Sequence, residues 1–228
     1  MSSGVVSFFM RRKIIAALVL GVAFACATPA FTQGSADTRA DTPLDKYLAQ
    51  LKTLRAQFEQ SVTDGRGDTV QRATGRFVIV RPGRFRWEVT QDGATSAQLM
   101  VADGKNLWFY DADLEQVSVK SAAAALPATP ASLLSGDGNI RELFRVTSGG
   151  KRDGFDWVVV TPKGGDADFR EARLGFGNGE LKGMVLKDKL GQTVRLQFLS
   201  SERNAPVSDA EVKFTPPAGA DVIGTPIS

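Results

Sequence analysis

The stretch GRFVIVRPGRFRWEV, residues 75–89, decides the class of fold. After the Pro82-Gly83 turn signal, Phe85, Trp87 and Val89 alternate with charged residues, and a period of two is the pattern of a β-strand. The segment before the turn is rich in apolar β-formers as well. Two such segments joined by a short turn predict an antiparallel hairpin.

The same pattern continues over most of the chain. Short segments of β-forming residues are separated by turn dipeptides such as Asp-Gly and Asn-Gly. We expect strands at residues 69–80, 84–91, 97–102, 106–111, 116–120, 143–147, 155–161, 169–176, 181–187, 193–199 and 211–214. Consecutive short hairpins predict an antiparallel meander, which needs closure or a cover over its edges.

Two regions have helical spacing instead. In TPLDKYLAQLKTLRAQFEQSV (residues 42–62), apolar residues recur every three or four positions, which predicts one long amphipathic helix. In the middle of the strands, TPASLLSG (residues 129–136) predicts a short helix that Gly136 ends. A second short helix is expected from about Asn139 to Leu143. Helices at this place in a meander can lie over the mouth of a curved sheet.

The N-terminus has the features of an export signal. A basic triplet, Arg11 to Lys13, precedes the apolar run IIAALVLGVAFACA and small residues follow, which predicts a secretory signal peptide over residues 1–27. Cleavage after Ala30 is the alternative. Residues 28–43 are expected to be a flexible leader, and residues 44–228 a single domain.

Composition excludes several kinds of function. The chain has 28 basic and 25 acidic residues, and the signal peptide's basic triplet supplies all of the net charge of +3. A balanced mature chain argues against binding to nucleic acid. There is no histidine, and the single cysteine, Cys26, lies within the predicted signal peptide. Histidine triads, cysteine nucleophiles and common zinc sites are therefore excluded, and we predict no catalytic, metal or cofactor-binding residue.

The predicted strands carry more apolar residues than one core face requires. In segment 75–82, Phe77 and Ile79 lie on one face of the predicted strand, and Val78 and Val80 lie on the other. Segment NLWFYD (residues 106–111) is also apolar on both faces. The second face either packs against the lid or the opposite wall in a filled barrel, or lines a cavity for a lipid-like ligand. Candidate lining residues are Phe77, Ile79, Phe85, Trp87, Val89, Trp108, Tyr110, Leu133 and Leu134. The pattern leaves open which face of each strand lines the cavity.

Arg81 has two interpretations. On spacing alone it is a surface arginine that protects a sheet edge beside Pro82. Alternatively it is a latch, whose guanidinium donates hydrogen bonds to the free carbonyls at the end of a lid helix.

Several segments resemble the periplasmic outer-membrane lipoprotein carrier protein (LolA) family and occur in that family's order. They are FEQSVTDGRG, GRFVIVRPGRFRWEV, VADGKNLWFYDADLEQVSV, TPASLLSG, LKDKLGQTVRLQF and FTPPAGADV. The resemblance implies a mainly β fold with helices: an unclosed antiparallel β-barrel, or curved half-barrel, covered by an N-terminal helix and short lid helices. Its hydrophobic cavity would hold the acyl chains of lipoproteins. The family's functional arginine falls on Arg81, and an aromatic involved in cargo handling falls on Phe85.

The resemblance also implies partners. The carrier would be a periplasmic monomer without enzymatic activity. It would receive lipoproteins from an inner-membrane ABC transporter and deliver them to an outer-membrane lipoprotein receptor. One alternative is a periplasmic module of the same fold that senses a lipid or lipoprotein. Another is a hydrolase, which would need paired acids in the cavity.

Overall fold

A computed structural model describes residues 41–126, 129–136, 140–165 and 167–228. The predicted signal peptide and the leader up to residue 40 lie outside these residues. The last positions assigned to the leader belong to the fold instead. Thr42 caps the first helix through a capping box with Asp45, and Pro43 is the first helical residue.

The described residues form short helices and a large set of strands. The helices are α1 (Pro43–Gln50), α2 (Ala122–Ala125), α3 (Ser132–Ser135) and α4 (Ile140–Leu143), with a 3₁₀ helix at Asp209–Val212. The strands are β1 (Thr53–Thr63), β2 (Thr69–Val80), β3 (Arg84–Gln91), β4 (Gln98–Asp103), β5 (Asn106–Asp111), β6 (Gln116–Ser121), β7 (Phe144–Arg152), β8 (Phe155–Pro162), β9 (Phe169–Gly177), β10 (Glu180–Asp188), β11 (Thr193–Arg203) and β12 (Asp221–Ile223). Among the described residues, no helix is long and apolar enough to span a membrane.

The strands form one twelve-stranded sheet in the order β12-β6-β5-β4-β3-β2-β1-β11-β10-β9-β8-β7. Every neighbouring pair is antiparallel except β12 with β6, which is parallel. The sheet is curved, and its ends, β12 and β7, do not pair with each other. This confirms the predicted mainly β fold with an unclosed antiparallel barrel. It also shows two meanders, β2–β6 and β7–β11, joined through β1.

The two faces of the sheet are covered differently. The face that we call the inner face carries the main core, with buried residues from strands across the whole sheet, such as Leu54, Leu107 and Leu174. Helix α1 covers part of it with Leu44 and Tyr47. The outer face carries a smaller cluster on β4, β5 and β6: Leu99, Val101, Trp108, Val117 and Val119. The C-terminal segment covers that cluster by packing Phe214 and Ala220 on it.

The prediction of one helix over residues 42–62 is wrong beyond its first two turns. Helix α1 ends at Gln50, and β1 pairs with β2 on one side and β11 on the other. Leu54, Phe58 and Val62 are four residues apart, a spacing that places side chains on one face in both a helix and a strand. The periodicity therefore did not distinguish the two structures, and pairing with two long strands decides the outcome.

The remaining expectations for secondary structure are largely confirmed. The strand predicted at residues 211–214 is wrong, because Ser208 and Glu211 form a capping box that starts a 3₁₀ helix. The three-residue β12 was not predicted. The other ten predicted strands are present with shifted ends, and the two mid-chain helices are α3 and α4.

Candidate functional site

A cleft of about 470 Å³ lies between α1, the turn after β2 and three short helices. We call these three helices, α2, α3 and α4, the lid. The wall of the cleft is mainly apolar, with Arg81, Ser132, Ser135 and Glu142 as polar members. The apolar side chains of the wall are Leu48, Pro82, Leu126, Leu133, Ile140, Leu143 and Phe144. The volume falls within the range of about 300–1,000 Å³ that is usual for ligand pockets.

The lid is made of elements that cannot be stable alone. Each of α2, α3 and α4 has four residues, well below the length at which an isolated helix persists in water. Helix α3 is held by burial, since Leu133 and Leu134 are only 1% and 2% exposed within the main core. Its position therefore depends on tertiary contacts, which can be made and broken.

Arg81 joins the lid to α1. Its Nε donates to the carbonyl oxygen of Gly136, the residue that ends α3, at 2.9 Å. Its Nη1 donates to the carbonyl of Leu48, near the end of α1, and makes a long contact of 3.5 Å to that of Leu51. The backbone of the same turn adds a bond of 2.7 Å from the amide of Gly83 to the carbonyl of Ser135.

The chemistry of helix ends explains these contacts. The last carbonyls of a helix have no partner within the helix, and they carry partial negative charge. A guanidinium offers several donors in a fixed fork and keeps its positive charge at any physiological pH. Arg81 therefore satisfies carbonyls at the ends of two helices at once, which is the arrangement that the latch interpretation requires.

The predicted lining residues of β2 and β3 lie on the inner face. Phe77, Ile79, Phe85 and Val89 are buried in the main core, and Trp87 is partly buried against it. The rings of Phe77 and Trp87 stack, with centroids 5.1 Å apart and planes 10° apart. In the described residues this part of the inner face is filled with side chains, as in the filled-barrel alternative. Leu133 lines the open cleft, and Leu134 is buried beside it.

Trp108 and Tyr110 lie elsewhere, which corrects the expectation that they face the cavity. They alternate on β5 with Leu107 and Phe109, which belong to the main core. Their own rings pack against Phe214 on the outer face, at 5.6 and 5.9 Å between centroids. Strand β5 is apolar on both faces because the C-terminal segment covers its outer side.

A second polar contact, which the sequence did not suggest, joins the lid to the first turn of α1. Arg141 of α4 donates from Nε and Nη2 to the two carboxylate oxygens of Asp45, at 3.2 and 2.8 Å. Partial burial by itself would raise the pKa of Asp45. Hydrogen bonds from Arg141 and Thr42 outweigh that effect and hold the pKa below its usual value.

Tyr47 lies on the face of α1 that packs against the sheet, and its burial shows that water is excluded between the helix and the sheet. It is 2% exposed, and burial, followed by the nearby Glu180 carboxylate, raises the pKa of its hydroxyl to about 12. The guanidinium of Arg203 lies 5.2 Å from the ring centroid and has a weaker, opposite effect on that pKa. Among the described residues, no cluster of three or more His, Cys, Asp or Glu residues could hold a metal ion.

An open half-barrel with an apolar cleft bounded by a tethered helical lid defines the structural class of this protein. Comparison with known proteins adds the family. The family described as "Outer membrane lipoprotein carrier protein LolA" matches residues 49–215. The chain belongs to the LolA family.

Two curated relatives agree with this assignment. The chain is similar to the outer-membrane lipoprotein carrier protein of Dechloromonas aromatica, with 39% identity over 94% of this chain and 100% of the relative. It is 40% identical to that of Chromobacterium violaceum over 87% of this chain and 94% of the relative. A crystal structure of a LolA superfamily protein from Nitrosomonas europaea aligns with a TM-score of 0.47 and 11% identity, covering 77% of this chain and 99% of that one.

Proposed function

We propose that this protein is a periplasmic carrier that binds the acyl chains of lipoproteins and moves them between membranes. The observation that carries the proposal is an apolar cleft bounded by a helical lid, in a chain of the LolA family. Its curated relatives are named outer-membrane lipoprotein carrier proteins. The protein acts by binding and release, without catalysing a reaction on its cargo.

The physical task explains the architecture. Each CH₂ group exposed to water costs about 0.8 kcal/mol, so three long acyl chains represent roughly 30 kcal/mol or more. No free lipoprotein can cross an aqueous compartment at a useful concentration with that cost. A carrier has to cover the chains and still surrender them to a partner after a modest change in free energy.

Space for acyl chains comes from movement of α3. When the lid is closed, Leu133 and Leu134 occupy part of the main core together with Phe85 and Ile79. Withdrawing α3 removes both leucines and extends the cleft onto the inner face. Phe77, Ile79, Phe85, Trp87 and Val89 then line the acyl-binding surface, with Leu133 and Leu134 on its movable wall.

Arg81 is the latch of this lid. Its hydrogen bond to Gly136 exists only when α3 lies against the turn after β2, and its bond to Leu48 holds the guanidinium against α1. Each such bond contributes a net of about 0.5–1.5 kcal/mol, so a few of them favour the closed state without making it permanent. Re-forming these bonds when cargo leaves contributes to its release.

Partners supply the direction of transport. The sequence contains no P-loop for ATP, so energy for loading has to come from outside the carrier. We propose that an inner-membrane ABC transporter loads the lipoprotein and that an outer-membrane lipoprotein receptor accepts it.

The decisive experiment is lipoprotein release from inner-membrane vesicles that contain the transporter and ATP. The purified mature protein should bring a labelled lipoprotein into the soluble fraction as a stoichiometric complex, and receptor-bearing vesicles should then take it up. If the lipoprotein stays in the membrane at every concentration of carrier, with transporter activity verified by ATP hydrolysis, the proposal is wrong.

A further inference from the structure

The ion pair between Asp45 and Arg141 is bidentate. The guanidinium meets the carboxylate through two donors, and its Nη1 donates to the carbonyl of Val146 at 3.2 Å. The side chains of Asp45 and Arg141 are 20% and 28% exposed, so water only partly screens the pair. Two-point contacts of this kind are shorter and more specific than single surface ion pairs.

The carboxylate is held in place before Arg141 reaches it. The amide and the hydroxyl of Thr42 both donate to Oδ2 of Asp45, at 2.8 and 2.6 Å. The capping box therefore fixes the rotamer of Asp45 at the first turn of α1. Surface ion pairs usually contribute little because forming them costs side-chain entropy. Asp45 is already fixed, so little side-chain entropy is lost when this pair forms.

Helix α4 depends on this pair more than on burial. None of its four residues is buried, and Leu143 is 50% exposed. Ile140 packs only partly against the main core. Lys163 adds a hydrogen bond of 2.6 Å from its Nζ to the carbonyl of Arg141. Apart from the Asp45 contact, α4 is held by hydrogen bonds from Lys163 and by its direct continuation into β7, so the pair is its link to α1.

We propose that the Asp45–Arg141 pair is a second fastener of the lid, which ties α4 to the first turn of α1 as Arg81 ties α3 to the last turn. Asp45 and Leu48 are three residues apart, about 4.5 Å along the helix axis. The lid opens as one unit when both contacts have been released.

This inference rests on the proposed carrier function, but its test does not need cargo. The test is amide hydrogen exchange in the full mature protein, read at Ser135 and Gly136, whose amides bond to carbonyls within the lid. Neither residue contacts Arg141 in the described hydrogen bonds. In Arg141→Gln, exchange at these α3 amides should rise at least about tenfold, since the loss of even one charge-assisted hydrogen bond has an effect of that size.

Two variants keep the test specific. Arg141→Lys retains the charge and loses the two-point contact, so exchange should lie between that of wild type and of Arg141→Gln. Arg145→Gln removes an exposed arginine of the neighbouring strand β7 and should leave exchange unchanged. Urea unfolding of each variant measures global stability. Amides in the core of the sheet exchange only through global unfolding, so a change confined to the lid amides reports lid opening.

The outcomes distinguish the two proposals. Faster exchange at α3 in Arg141→Gln, with unchanged exchange in the core of the sheet, supports a lid that opens as one unit. Faster exchange confined to α4, or none at all, overturns the second fastener even if wild type releases lipoproteins from vesicles. Failure of wild type to release any lipoprotein would overturn the carrier function while leaving the lid measurement valid.

Discussion

The ring of Phe58 on β1 lies directly against the backbone of Gly75 on β2. A Cβ atom built on Gly75 would stand 2.4 Å from Cζ of the Phe58 ring and 2.4 Å from the carbonyl oxygen of Glu88. Both contacts are shorter than any van der Waals contact allows, and the second is to backbone that cannot rotate away. The strand sequence therefore needs glycine at 75 for packing.

Gly75→Ala should destabilise the fold. Phe58 belongs to an aromatic cluster with Phe77 and Trp87, at 6.1 and 4.9 Å between centroids, so displacing it disturbs the centre of the inner face. Overpacking of this kind costs about 1–3 kcal/mol. Urea unfolding measures it. Gly164→Ala is the matched control because nothing lies within 4 Å of a Cβ there, and equal stability of the two variants would contradict the prediction.

Arg81→Leu should keep the fold and fail in delivery. The variant loses the hydrogen bonds to Gly136 and Leu48, so the closed lid no longer competes with bound acyl chains. We expect a lipoprotein complex that forms at the inner membrane and passes little cargo to the receptor. Transfer between vesicles measures this, with circular dichroism to verify folding. Arg81→Lys, which keeps the charge but not the fork, should transfer partially, and full transfer by Arg81→Leu would remove Arg81 from the mechanism.

Trp108→Ala should lower stability without affecting the cleft. Trp108 packs on the outer face against Phe214, and its removal from this buried cluster should cost about 3–5 kcal/mol. Because the outer face is separated from the cleft by the sheet, an apolar dye should bind with unchanged affinity at temperatures where the variant is folded. A tenfold weaker dye affinity would place Trp108 in the ligand site after all.

The carboxylate of Asp103 should make the folded protein less stable in acid than at neutral pH. Burial by itself would raise its pKa, but hydrogen bonds from Trp108 and from the amides of Asn106 and Lys105 outweigh burial and lower the pKa. A carboxylate with a depressed pKa stabilises the fold above its unfolded pKa of about 3.9, and that contribution is lost as the pH falls through the lower folded value.

Asp103→Asn should therefore be less stable than wild type at pH 7 by about 1 kcal/mol, since the carboxylate is partly exposed. The difference should shrink below about pH 4. Urea unfolding between pH 7 and 2.5 measures it, with the exposed Asp92→Asn as control. A difference that stays constant over this range would show that the charge of Asp103 is not involved.

Local patterns in the sequence predict most strands because each hairpin is encoded by neighbouring residues. The pairing of β1 with β11 is not local: Leu54 lies opposite Arg203, about 150 residues later in the chain. The β1–β2 hairpin is local, but the four-residue spacing of Leu54, Phe58 and Val62 fits a helix as well as a strand, so the sequence predicts a helix there. Sequence identified Arg81 through its resemblance to a family, while its acceptors are backbone carbonyls, which leave no trace in a sequence.

The Asp45–Arg141 contact was missed for a related reason. Its partners are 96 positions apart, and neither belongs to a recognisable motif. The faces of β5 were ambiguous because both are apolar, and only the path of the C-terminal segment over Trp108 resolves them.

The size and position of the cleft have a pharmacological consequence. At about 470 Å³, bounded by the Arg81 turn and by the lid, it has room for a small molecule. A compound that filled it and accepted a hydrogen bond from Arg81 would wedge α3 away from α1. Such a compound would act by holding the lid away from α1, and it would need no resemblance to a fatty acid.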